Sequence, residues 1–181
     1  MVSAVYAVPI AAFTGSQLAV QLYERSEREA RWGDAVEHAL AVGKPLLNIG
    51  CGYDPRYVGD VNIDIQEPGF ELHPNYVQAS IYSIPYPDKY FGAVFVSHVL
   101  EHLEDPAAAM SEMDRVADRT YICVPLPMNL LSAFWPGHRW IFMATQAVPN
   151  SPAANVAVVA MAAGSGYLIY RMLKKGAEIR L

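Results

Sequence analysis

The chain has 181 residues, is 53% hydrophobic and only 17% charged, and carries a formal net charge of −5. That composition excludes an intrinsically disordered chain and leaves room for one domain with a sizeable core plus extensions. The acidic balance argues against a dedicated nucleic-acid binder. Two cysteines without CxxC spacing, Cys51 and Cys123, indicate neither a zinc knuckle nor a disulfide framework, so a reducing, cytoplasmic setting is expected.

Charge is unevenly placed. Residues Met1 to Tyr23 carry none, and neither does the stretch from Trp140 to Tyr170. The first run, AVYAVPIAAFTGSQLAVQLY, is apolar but diluted by Thr14, Ser16, Gln17 and Gln21, and it passes into the polar, helix-compatible ERSEREARWGDAVEHAL. No basic residue precedes it, so it is a poor match to a signal peptide. Two readings stay open: a helix packed on the domain, or a membrane-embedded or interfacial helix with Arg25, Arg28 and Arg31 on the cytoplasmic side.

Short apolar runs follow in order. KPLLNIG (44–50), DVNIDI (60–65), NYVQASI (75–81), YFGAVFVSHVL (90–100) and RTYICVPLP (119–127) read as five strands, with SEMDRVA (111–117) as helix before the fifth. Such runs, separated by helical or loop segments, predict a parallel sheet in an α/β architecture. Only Tyr53 to Asp60 separates the first two strands, which is short for a crossover helix, so this part of the fold is expected to be trimmed. The tail PNSPAANVAVVAMAAGSGYLIYRMLKK reads either as a membrane helix with an interfacial Tyr170-Arg171-Lys174-Lys175 end, or as a hairpin that finishes the sheet. The organisation read from the sequence is an N-terminal hydrophobic-then-polar segment at 1–40, an α/β domain at 41–142 and a hydrophobic segment at 143–181.

The strand ends carry the chemistry. Gly50-Cys51-Gly52 closes the first strand, and closely spaced glycines there let a ligand approach the backbone. Asp64 sits at the tip of the second strand, where a carboxylate can accept both hydroxyls of a ribose. Ser80 and Ile81 lie at the third tip, where backbone and hydroxyl groups can hold an adenine. Ser97-His98-Val99-Leu100-Glu101-His102 follows the fourth strand. His98-x-x-Glu101-His102 also fits the H-x-x-E-H pattern of inverted zinc peptidases, with two histidines on one helical face.

LLNIGCG, VNIDI and SIPYPDKYFGAVFVSHVLEHLEDP together resemble the class I S-adenosylmethionine-dependent methyltransferases, most closely the small type 11-like branch that modifies sugars, lipids and small metabolites. The resemblance spans Lys44 to Pro127, and PGHRWIF (136–142) is similar to a segment that often follows the fifth strand in that branch. It implies a trimmed, doubly wound, mainly parallel Rossmann-like sheet with hydrophobic extensions at both ends. It implies S-adenosylmethionine as cofactor and a small-molecule, sugar or lipid acceptor. Gly50, Cys51 and Gly52 would line the methionine and ribose portions, Asp64 would bind the ribose hydroxyls, and Ser80 and Ile81 would flank the adenine. Ser97 and His98 would sit near the sulfonium and the acceptor, with His98 as first general base and His138 as second.

Four positions depart from the family pattern. Asn48 replaces an acid and would hydrogen-bond the ligand's ammonium without charge. Ser80 replaces a longer acid, Gly92 stands where aspartate is usual, and Asp54 stands for the third glycine of the first loop. The alternative is a catalytically inactive relative serving as a structural or assembly component, anchored in a membrane or a larger assembly by its uncharged ends.

Overall fold

The computed structural model describes residues 4–52, 54–66, 73–143, 146–149 and 151. The chain divides into two compact units, one of Glu27–Val124 and one of Met1–Ser26 with Pro125–Leu181. Helix α1 (Ala4–Val42) contributes residues to both.

In the first unit, α1 is rich in Ala, Glu and Arg, strong helix formers. It stops at Gly43, whose φ of +66° suits the left-handed position after a helix end. The Gly43 N–H donates to the Leu40 carbonyl and the Lys44 N–H to that of Ala39, closing the last turn. Trp32, Ala35, Val36 and Ala39 recur at helical spacing and pack on Leu46, Tyr57, Ala93 and Phe95.

Five strands form the sheet: β1 (Leu46–Ile49), β2 (Val61–Asp64), β3 (Tyr76–Gln78), β4 (Phe91–Ser97) and β5 (Ala117–Cys123). Their order is β3-β2-β1-β4-β5 and every pairing is parallel. β1 and most of β4 are buried, as strands covered on both faces must be. The five expected strands are present, and the sheet is the predicted Rossmann-like one. The chain winds outward through β1, β2 and β3, then returns to the other side of β1. The strand order therefore reverses between β1 and β4, where ligands of open α/β sheets gather.

The link from β1 to β2 contains no helix among its described residues. Side chains hold it instead. The Asn48 amide donates to the Tyr57 carbonyl at 2.6 Å. Asn62 accepts from the Gly59 N–H at 2.9 Å and donates to the carbonyls of Gly59 and Pro74. Asp60 accepts the Leu46 N–H at 2.8 Å. Gly59 sits so close to neighbouring backbone that a Cβ would lie 2.8 Å from the Leu46 oxygen.

Helix α2 (Pro106–Val116) begins with Asp105 accepting the Ala108 N–H and proline in the first turn, a favourable start. Its Ala109, Met113 and Val116 are buried. Glu112 accepts the Ile84 N–H at 2.7 Å and two bonds from Arg115, which also donates to Tyr86 and Asp88. Arg115 thus holds the Glu112 carboxyl below its ordinary range.

In the second unit, short helix α3 (Leu130–Ala133) is capped by Asn129, which accepts the Ser132 N–H. Strands β6 (Trp140–Met143) and β7 (Gln146–Pro149) pair antiparallel. The segment before α3 is fastened to α1: Glu24 accepts from the Leu126 N–H and the Asn129 amide, and Gln17 accepts the Leu130 N–H at 3.0 Å and donates to the Met128 carbonyl. Among the described residues no helix is long and apolar enough to cross a membrane. The N-terminal run is thus a helix, but α1 is not the spanning element weighed for it. The tail from Pro152 onward, with its helix-or-hairpin alternatives, lies outside the described residues.

Candidate active site

The first three strand tips are sewn together by backbone. The N–H groups of Gly50 and Cys51 donate to the Ile63 carbonyl. The Gly52 N–H reaches Asp64 Oδ2 at 3.1 Å, and Asp64 Oδ1 accepts the Gln66 N–H at 3.1 Å. The Asp64 carbonyl accepts from Ala79, next to Ser80. Gly50, Gly52, Asp64 and Ser80 therefore share one edge of the sheet. Both glycines adopt positive φ, +67° and +49°. A Cβ on Gly50 would fall 2.2 Å from Val99 Cγ2, so the first glycine makes room for the loop after β4 rather than for a ligand. Around Gly52 the space is open, apart from the Gly50 carbonyl at 4.0 Å.

At the β1–β4 reversal lies a cleft of about 160 Å³. Asn48, Gly50, Cys51, Ser97 and His98 line it, together with Arg28, Asp54, Tyr57 and Phe95. Gly52, Asp64, Ser80 and Ile81 are not in its wall. Ser80 Oγ accepts the Tyr82 N–H, and Ile81 is buried. His138 belongs to the second unit, where it lines a small cleft with Pro125, Ser132, Trp140, Ile141 and Phe142.

Arg28 and Tyr57 are wall residues that the sequence does not mark as site residues. Arg28 Nε and the Tyr57 hydroxyl are buried without a hydrogen-bond partner among the described residues. Buried polar atoms are nearly always satisfied, so both point to a polar occupant of the cleft. Arg28 reads in the sequence as a charge flanking an apolar run. The signal that places it is helical register: it precedes Trp32 by four, on the stripe that continues through Ala35 and Ala39.

The departures from the family pattern have local causes. The Asn48 amide donates to the Tyr57 carbonyl and lies 3.5 Å from Asn62 Oδ1, so a carboxylate there would face two acceptors. A Cβ on Gly92 would lie 2.7 Å from Val42 Cγ2 and 3.0 Å from Ala39 Cα, both on α1. The Asp54 carboxylate is clamped by Arg56 at 2.6 and 2.8 Å, which holds it below its ordinary range.

His98 has a φ of +55° and its N–H donates to the Cys123 carbonyl. Its Nδ1 lies 3.2 Å from Oε1 of Glu101, a fully buried carboxylate. Glu101 and His102 stand in a single 3-10 turn, Leu100–His102, and His98 precedes it in a left-handed conformation. The H-x-x-E-H residues thus do not share one α-helical face, against the zinc-peptidase reading. Burial, aided by the Asp64 charge, pushes the Cys51 thiol up to about 11, so it is neutral near pH 7.

A family model described as "Methyltransferase domain" matches residues 36–122. An uncharacterized methyltransferase of Schizosaccharomyces pombe is 32% identical over 49% of this chain. The chain spans 41% of that relative's length. The matched stretch carries all five parallel strands, the Gly50–Gly52 turn, Asp64 and the strand-order reversal. Residues 36–122 are thus similar to methyltransferase domains, on the parallel sheet expected from the sequence.

Proposed function

We propose that the protein is an active methyltransferase that uses S-adenosylmethionine and methylates a small-molecule, sugar or lipid acceptor. The observation that carries this reading is the cleft at the β1–β4 reversal, with Arg28 Nε, which has no partner among the described residues, in its wall and the Gly52–Asp64 turn at the same sheet edge. When bound, the cofactor supplies an electrophilic methyl group on a sulfonium. Asp64 has lone pairs left, beyond the two N–H groups it accepts, for ribose hydroxyls. Ser80 and Ile81 flank the adenine. Arg28 pairs with the amino-acid carboxylate, and Asn48 Oδ1 accepts from the ammonium. Cys51 packs as a neutral thiol. Since the cleft is smaller than a typical ligand pocket, about 300 Å³ or more, it takes the amino-acid end, and the nucleoside lies outside it along the strand tips.

His98 receives the acceptor's proton. With Nδ1 beside the Glu101 carboxylate, Nε2 is the nitrogen left for that task. Nε2 would accept the proton of the acceptor hydroxyl as that oxygen is methylated. The remaining work is alignment and exclusion of water.

Calorimetric titration with S-adenosylmethionine and S-adenosylhomocysteine tests the reading. Both should bind, and Asp64→Ala should weaken binding about 10- to 100-fold, the worth of one or two bonds to a charged acceptor. A far-ultraviolet spectrum checks that the variant is folded. A second reading, a non-catalytic scaffold, is favoured by the commitment of the Asn48 amide to Tyr57. Absence of binding at millimolar ligand would defeat the enzyme and favour the scaffold.

A further inference from the structure

The second unit displays large apolar side chains to solvent. Leu131 is 66% exposed, Phe134 53% and Trp135 59%, all on or just after α3. On α1, Leu18 is 55% and Leu22 58% exposed, one helical turn apart. Gln17 accepts the Leu130 N–H, so the part of α1 that carries Leu18 lies against the segment that leads into Leu131. Isolated exposed leucines are ordinary, but a grouped Leu-Phe-Trp set marks an interaction surface.

The charge distribution says what kind. Between Pro125 and Glu178 the sequence of this unit holds no acidic residue and four basic ones, Arg139, Arg171, Lys174 and Lys175, of which Arg139 is among the described residues. Of the chain's 18 acidic residues, all but Glu24 and Glu178 fall in the unit Glu27–Val124. The second unit is therefore basic in a chain of net charge −5. Arg139 is exposed four residues after Trp135. Trp and Phe beside cations are the side chains that settle at a lipid–water boundary, and basic residues there are drawn to anionic headgroups. A lipid surface also asks for no matching groove.

We infer that the second unit docks on the surface of an anionic membrane through Leu131, Phe134 and Trp135, with Leu18 and Leu22 of the same unit. This surface stands independently of the methyltransferase reading.

The full chain is mixed with phosphatidylcholine vesicles with and without phosphatidylserine, and binding is read by co-sedimentation and by quenching of tryptophan fluorescence with brominated lipid. It should bind the phosphatidylserine vesicles, more weakly as salt rises. Leu131→Asp with Phe134→Asp should weaken partitioning by about tenfold or more, the worth of one apolar side chain left in water. Trp135→Phe, a mild change that keeps the fold, should still bind but lose most of the quenching. No binding to either vesicle overturns the inference. So does quenching that survives intact in Trp135→Phe. A self-association in sedimentation velocity that the Asp variants abolish, with no vesicle binding, also overturns it and assigns the surface to a second copy.

Discussion

Gly92→Ala places a methyl group where α1 meets the start of β4. The added carbon would sit 2.7 Å from Val42 Cγ2, 3.0 Å from Ala39 Cα and 3.2 Å from Lys44 Cβ. Carbon atoms pack comfortably at about 3.5–4.0 Å, so the last turn of α1 must move away from the sheet. Overpacking of this kind costs about 1–3 kcal/mol. Gly92 does not use positive φ, so alanine recovers about 0.4–1 kcal/mol by restricting the unfolded chain. The net expectation is a loss of about 1–2 kcal/mol. Val42 is 42% exposed, so Val42→Ala removes the nearest obstacle cheaply, yet the Ala39 backbone stays. The double variant should therefore regain part of the loss. Gly92→Asp should lose more, because it sets a larger side chain against the same crowded atoms of Val42, Ala39 and Lys44. Urea unfolding followed by Trp32 fluorescence reads all four proteins, since that ring packs edge-on against Tyr57 and Phe95. Gly92→Ala within about 0.5 kcal/mol of the parent, or no relief from Val42→Ala, would refute the packing argument.

Arg28→Ala should weaken S-adenosylhomocysteine binding about tenfold or more while the unfolding midpoint barely moves, and Arg28→Lys should retain part of the affinity; calorimetry and urea titration separate the two effects. Cys51, with its thiol pushed up to about 11, should resist iodoacetamide at neutral pH and become reactive only in strongly alkaline buffer; peptide mapping that finds rapid labelling at pH 7 would contradict its burial. Glu112→Gln should cost about 1–2 kcal/mol at neutral pH. Because Arg115 lowers the folded-state value of Glu112, that stability is present above the ordinary carboxyl range and is lost as pH falls through the lowered value. The gap between parent and variant should therefore close in acid, and a gap that widens there would reverse the assignment.

Much of the sheet is legible in the sequence because buried parallel strands are short, unbroken apolar runs, and LLNI, VNID and FGAVFVS each end at a polar or glycine residue. The glycine turn and Asp64 are legible for the same reason, since strand ends are where this topology exposes backbone. Arg28 is hidden because α1 reads as two segments, an uncharged one and a charged one, and only a single continuous helical register carries Arg28 onto the stripe with Trp32. Asn48 and Gly92 look, in the linear sequence, like losses from a binding site. In three dimensions one satisfies a carbonyl of the short β1–β2 link, and the other lets a helix lie against a strand. Such long-range packing demands leave no periodic trace. The left-handed His98 is equally silent, since only the surrounding turn defines it.

The helix that lies over Leu46, Ala93 and Phe95 precedes every strand in the chain. During synthesis at about 5–20 residues per second, Trp32 and Val36 emerge several seconds before Phe95 exists to receive them. The acidic and basic side chains between Glu27 and Glu37 keep that waiting helix in water. A ribosome stalled before β4 would hold an apolar stripe with nothing to lie on, a target for holdase chaperones. Placing this helix ahead of the strands thus sets how long its apolar stripe waits during synthesis for a surface to cover.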